Sequence, residues 1–365
     1  MASNPVPDPE PAYFAPMTPG GLQPVAASSD LAAGPVRVVL DGVPWVLARL
    51  DGRVVAARDR CPHRGYPLSA GTVEDGCLTC PYHGWRYDAD GRAVEIPALG
   101  RTDAPLPPRA RLRLAPAVEE HDGLVWMDPG EPEPEPPRLV MANDDVGLRR
   151  GWHPVCRSEE IQPGGSLAVE LLGEQWLVER TAPEGEPVAV GAYAAVDHLG
   201  HVWIAPEEPV TGLLEVGEFA EAGWRRVPMP RIEGRYGVGL LLDNQLDAGH
   251  FSFVHRNTFG SADGAALPPY TVERNGNTFE AVLRVPISAR NDVDALDGAR
   301  PLQQHRTMTY RYAAPTTLWL RLDYEQMGGS TGILFCFTPL TAERTRVDID
   351  LLFQHPDGFT EEQLA

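Results

Sequence analysis

The chain has 365 residues, 43% of them hydrophobic, and a formal net charge of -20 with only 31 Lys and Arg. That size and composition suit a soluble globular protein of two or three domains. The acidic balance argues against nucleic acid or an anionic membrane surface as a partner, and no apolar run approaches the length of a membrane span.

Taken in chain order, residues 1-21 are rich in Pro and Ala, with no basic start or apolar centre. They read as a flexible tail rather than a secretory signal. The five cysteines, Cys61, Cys77, Cys80, Cys156 and Cys336, form no disulfide-like framework, which fits a reducing, cytoplasmic setting. Cys77, Cys156 and Cys336 read as packed thiols.

Residues 22-128 read as short strands. Val36–Leu40, Trp45–Arg49 and Val54–Ala56 are β-prone runs, and Asp41-Gly42, Asp51-Gly52, Asp90-Gly91 and Asp122-Gly123 are turn pairs. Within this region lie Cys61-Pro62-His63 and, sixteen residues on, Cys80-Pro81-Tyr82-His83-Gly84-Trp85. Each loop offers one thiolate and one imidazole. Two thiolates for one iron and two imidazoles for the other are the ligand set of a Rieske [2Fe–2S] centre. A tetrahedral zinc site would use the same donors, but zinc patterns pair Cys with Cys and His with His, whereas each loop here mixes them. The domain, residues 22-137, closes on the stiff Pro/Glu spacer at 130-137.

Residues 150-210 look like a degenerate repeat of that domain. Leu22-Gln-Pro-Val leading to Trp45–Arg49 is echoed by Trp152-His-Pro-Val leading to Trp176–Arg180. His121–Pro129 is echoed by His198–Pro206. Arg49 to His121 spans 72 residues but Arg180 to His198 only 18, and the missing part is where the cluster loops would sit. We therefore expect a cluster-free β-unit, with Trp152, Trp176 and Trp203 buried.

Residues 228-365 form the last region. Asp247-Ala-Gly-His250-Phe-Ser-Phe-Val-His255 is its densest constellation. Asp247 and His250, three apart, are expected on one helix face, and the helix must loosen or end before His255. Two imidazoles and a carboxylate are the facial triad of non-haem Fe(II) sites, which leaves positions open. Alternating runs at 279-285, 307-312, 317-322, 332-338 and 346-353 predict a large antiparallel sheet with one buried face. Phe251, Phe253, Val254, Leu318, Leu320, Phe335 and Phe337 could line a pocket, though plain core packing is the more ordinary role.

The two ligand loops, together with the stretch Asn244–Gly260, resemble the Rieske non-haem iron oxygenases, specifically the single-component monooxygenase and demethylase branch. The likeness runs through nearly the whole chain from Leu22. It implies an α+β chain: a small antiparallel β Rieske domain, the cluster-free unit, and an antiparallel-sheet catalytic domain of helix-grip type. It implies a cluster on Cys61, His63, Cys80 and His83 and a mononuclear Fe(II) on His250 and His255. Asp247 would then be no iron ligand but a bridge from a cluster histidine to an iron histidine, across subunits of a homotrimer. Asn244 would lie near the iron. The third iron ligand is expected on a helix after the last strand. Thr360-Glu-Glu-Gln looks like the start of that helix, which places the carboxylate beyond Ala365; Asp357, Glu361 and Glu362 are the alternatives. The implied activity oxidises a small organic substrate with O₂, using NAD(P)H electrons from a separate reductase or ferredoxin. An electron-transfer or scaffold protein that keeps only the cluster is the other reading.

Overall fold

The computed structural model describes residues 21-100, 105-131, 140-181 and 186-355. Most of the N-terminal tail, most of the Pro/Glu spacer and the segment holding Asp357, Glu361 and Glu362 lie outside the described residues. The chain divides into two compact units, one of Met1–Pro136 with Gly249–Leu267 and one of Pro137–Ala248 with Pro268–Ala365.

The first unit is almost wholly antiparallel β. Its strands are β1 (Gln23–Ala27), β2 (Val36–Leu40), β3 (Val43–Leu50), β4 (Arg53–Arg58), β5 (Thr72–Glu74), β6 (Cys77–Thr79), β7 (Arg86–Tyr87), β8 (Ala93–Glu95), β9 (Ala117–His121) and β10 (Leu124–Asp128). They form three sheets, β1-β10-β9, β2-β3-β4 and β5-β6-β7-β8. The Asp-Gly pairs set the hairpins. At Asp41-Gly42, Asp51-Gly52 and Asp122-Gly123 both residues have positive φ, as tight two-residue turns require. β3 is buried on both faces. Val46, Ala48 and Leu50 enter a core with Cys61 and Cys80, while Trp45 and Leu47 enter a second core with Val25, Leu31 and Val125. The ligand loops are thereby anchored to the most buried strand of the unit.

The second unit carries β11 (His153–Arg157), β12 (Ser166–Leu171), β13 (Glu174–Glu179), β14 (Val188–Ala189), β15 (Ala194–His198) and β16 (His201–Ala205). β17 (Trp224–Pro228), β18 (Ile232–Gly234) and helix α1 (Val238–Gln245) follow. The chain then enters the first unit as the single helical turn α2 (Phe251–Val254) and returns as β19 (Val272–Asn275), β20 (Thr278–Ser288), the turn α3 (Val293–Leu296), β21 (Gln303–Ala313), β22 (Thr317–Tyr324), β23 (Ser330–Pro339) and β24 (Thr345–Gln354).

Strands β11 to β16 form two small sheets, β11-β16-β15 and β12-β13-β14, separate from the long sheet. Their geometry follows the first unit feature by feature. β1 slips register between Pro24 and Ala26 against β10, and β11 slips between Pro154 and Cys156 against β16. The Ser28 amide donates to the Gly123 carbonyl at 2.9 Å, and the Ser158 amide to the Gly200 carbonyl at 3.1 Å. The Asp30 carboxylate caps the Ala27 amide, and the Glu160 carboxylate caps the Arg157 amide. The core residues Val25, Ala26, Leu31, Trp45, Leu47 and Val125 have counterparts in Val155, Cys156, Ile161, Trp176, Val178 and Val202. Trp176 and Trp203 are buried, whereas Trp152 is only partly so.

The long sheet runs β17-β24-β23-β22-β21-β20-β19, with β18 also on β24. The expected runs fall inside β20 to β24, but the single buried face does not hold. Residues 317-320 and 334-339 are buried on both sides. One face carries Leu318, Leu320, Phe335 and Phe337. The other carries Trp319, Leu334, Cys336 and Leu352, packed with Trp203 and Val216. The reason is that the β11–β16 segment is fastened to this back face. Leu172 and Gly173 amides donate to the Pro339 and Leu340 carbonyls, and His201 Nε2 meets the Asp350 carboxylate at 2.7 Å. The expected helix over Asp247 and His250 is also absent. α1 stops at Gln245, and α2 begins only after His250, so the two do not share a helix face. Gly249, a poor helix interior residue, stands between the two helices.

Candidate metal centre

The two ligand loops are built alike. The Cys61 amide donates to the Tyr66 carbonyl and the Gly65 amide returns to the Cys61 carbonyl; the Cys80 amide donates to the Trp85 carbonyl and the Gly84 amide returns to the Cys80 carbonyl. Gly65 and Gly84 close these turns at φ +72° and +67°, where glycine is favoured. The result gathers four donors. Cys61 and Cys80 are 3% and 1% exposed, and the His63 and His83 rings lie 4.4 Å apart between centroids. Trp85 stacks on His63 at 4.6 Å, and Tyr82 tilts against His83 at 4.2 Å, so each imidazole is held by an aromatic neighbour from the second loop.

The two thiols sit in unlike surroundings, and that of Cys61 favours anionic sulfur. The Cys61 thiol is brought down to about 7, chiefly by a hydrogen bond with Cys80 and against burial, with further help from Tyr87 and the amides of His63 and Arg64. Its partner Cys80 is pushed up by that same bond and by burial. Tyr87, whose hydroxyl lies 3.2 Å from the Cys61 sulfur, lies outside both loops, so the motif gives no sign of it. Two buried thiols meeting each other, two adjacent imidazoles and amides aimed at the sulfurs fit an iron–sulfur cluster.

The other histidines fall in the same unit. His250 is 3% exposed, its ring 5.2 Å from His255 and 6.3 Å from His83. Phe251 and Phe259 flank this pair, with Phe259 stacked on His255 at 4.7 Å. Phe253 faces the second ligand loop, and a Cβ on Gly84 would meet its ring at 2.2 Å. Two histidines with neutral aromatic neighbours can hold a divalent iron and leave positions open. Asp247, 8% exposed, belongs to the second unit. Val254 is half exposed, while Leu318, Leu320, Phe335 and Phe337 are buried in the long sheet.

Residues 21-111 match the model of the Rieske [2Fe-2S] domain, and residues 237-363 match that of the vanillate O-demethylase oxygenase C-terminal domain. The 3-chlorobenzoate-3,4-dioxygenase oxygenase subunit of Comamonas testosteroni is 40% identical over 134 residues, 34% of this chain and 31% of that protein. Methylxanthine N1-demethylase of Pseudomonas putida is 41% identical over 113 residues, 30% of this chain and 31% of that protein. The chain thus spans about a third of the length of these curated relatives. Among solved structures, Pseudomonas putida CBB5 NdmB aligns over 94% of this chain and 76% of its own at 20% identity, with a TM-score of 0.37.

Proposed function

Because this chain belongs to the Rieske oxygenases, we propose that it is a terminal oxygenase. It takes electrons from NAD(P)H through a separate reductase or ferredoxin and oxidises a small organic substrate with O₂. The observation that carries this reading is that one unit gathers both donor sets, Cys61, His63, Cys80 and His83 and then His250 and His255.

Bound there, the cluster supplies single electrons and the mononuclear iron supplies activation of O₂. The chain's own residues do the rest. Cys61 and Cys80, in a buried core, would hold the cluster together with His63 and His83. Trp85 and Tyr82 pack on those imidazoles and orient their ring planes. In this reading Asp247 would link a cluster histidine of one subunit to an iron histidine of the next. It accepts ring N–H groups, and so orients the rings as well as linking them. The β11–β16 segment is a cluster-free copy of the Rieske frame that serves as a platform for the long sheet. The assembly is a homotrimer.

The test is metal content with spectroscopy. Full-length protein purified anaerobically should contain about three irons per chain, two in the cluster and one mononuclear, and show a Rieske electron paramagnetic resonance signal on reduction. About two irons with the same signal would favour an electron carrier. A colourless zinc protein would sink both readings.

A further inference from the structure

Asp59 is a buried carboxylate that the metal chemistry does not use. Its side chain is 1% exposed, and it stands two residues before Cys61. Burying such a group is costly unless it is well bonded. One oxygen accepts the Ser69 amide at 2.7 Å, and the other accepts the Ser69 hydroxyl at 2.6 Å. The Arg37 guanidinium lies 3.5 Å away but is half exposed, so it adds little. Asp59 is itself fixed, its amide donating to the Pro44 carbonyl at 3.0 Å.

The two ligand loops are closed at their bases in different ways. The second is a hairpin loop. β6 leads in, β7 leads out, and the two strands pair through Leu78 with Tyr87 and Thr79 with Arg86. Among the described residues the first loop has no such ladder. β4 leads in and belongs to one sheet, and the next strand, β5, belongs to another. The Asp59 carboxylate spans that gap. With Ser69, ten residues on, it ties together the two ends of the segment that carries Cys61 and His63. Closing a loop costs chain entropy, and two short bonds to one carboxylate offset that cost where no ladder does. The Ser69 end is firm. Leu68 beside it is fully buried in the core with Cys61 and Cys80. A Cβ on Gly71 would meet the Thr79 carbonyl oxygen at 2.1 Å, one residue before Cys80. The bracket therefore seats the first loop directly against the strand that carries the second.

We propose that Asp59 and Ser69 are positioning residues for the cluster. Their part is to hold the first loop shut, so that Cys61 stays in its buried core and His63 keeps its place beside His83 and its stack on Trp85. The inference needs the cluster but not the oxygenase reading.

The experiment follows the bleaching of visible absorbance in the full-length protein under a ferrous chelator, well below the unfolding temperature. The electron paramagnetic resonance signal and the reduction potential are measured alongside. Asp59→Ala should lose colour at least about tenfold faster than wild type, and Ser69→Ala, which keeps the amide bond, about threefold faster. Asp59→Asn keeps one acceptor oxygen and should fall between Asp59→Ala and wild type. The g values or the potential should move in both alanine variants, because His63 is no longer held in one orientation. A group that only adds stability would lower the unfolding temperature and leave chelation, g values and potential as they are. Should Asp59→Ala fail to fold by circular dichroism, Ser69→Ala decides by the same readouts. An unchanged bleaching rate, or a faster one with g values and potential both unmoved, overturns the proposal. The iron count described above reports on the oxygenase reading, and the wild-type signal on the cluster, so each can fail separately.

Discussion

Gly84 shows how much a single position constrains. Its positive φ and the Phe253 ring, 2.2 Å from where a Cβ would stand, leave no room for a side chain. Gly84→Ala is expected to destabilise the unit by about 1–3 kcal/mol, through backbone strain and overpacking, and to lower cluster occupancy. Thermal unfolding and the visible absorption of the cluster measure the two effects. His153 makes a separate, pH-dependent prediction. It is fully buried, with Nε2 donating to the Leu148 carbonyl at 2.7 Å, and burial pulls its pKa down to about 4. An unfolded histidine titrates near ~6.5, so between about pH 6.5 and 4 the unfolded chain holds the extra proton. Stability therefore falls as pH drops through that interval, by roughly 3 kcal/mol at most, and is flat with respect to this group above it. In His153→Gln the difference from wild type should shrink as the pH is lowered, measured by urea unfolding at several pH values. Sequence alone marks the glycine, because it closes a ligand loop. It says nothing of His153, whose burial depends on partners distant in the chain.

At the scale of elements, the Asp-Gly hairpins and alternating runs were legible because their causes are local. A two-residue turn needs positive φ at both positions, and a strand's period of two shows wherever one face is apolar. What local pattern could not reveal is the second covered face of the long sheet. The alternating partners of Leu318 and Phe335 are Trp319 and Leu334, apolar as well, and the β11–β16 segment with the following residues Leu213, Val216 and Phe219 covers them. Trp203 is the joint between the two, 1% exposed and bonded through Nε1 to the His198 carbonyl at 2.8 Å. Trp203→Ala should cost about 3–5 kcal/mol, because the cavity opens between two layers that cannot both relax into it. Denaturant unfolding checks this. A loss under about 1 kcal/mol would mean that the joint is carried by the His201–Asp350 and Arg226–Asp350 contacts instead. The expected helix through Asp247 and His250 failed for a matching reason. The spacing was helical, but α1 ends at Gln245 and the chain passes to the other unit at Gly249.

At the scale of the whole molecule, Asp247→Asn is the informative change. The amide is close in shape but loses the charged acceptor. Cluster spectrum and iron content should stay near wild type while reductase-driven turnover falls by at least ~100-fold. Wild-type turnover in that variant would make Asp247 structural. The sequence by itself determined which donors the two short loops offer, two thiolates and two imidazoles, the set that a Rieske cluster needs wherever the rest of the chain goes. Only the tertiary structure decided which buried groups stand together. Tyr87 reaches the Cys61 sulfur, and His201 meets the Asp350 carboxylate. Those encounters join residues far apart in the chain, and strand register, not local sequence, fixes them.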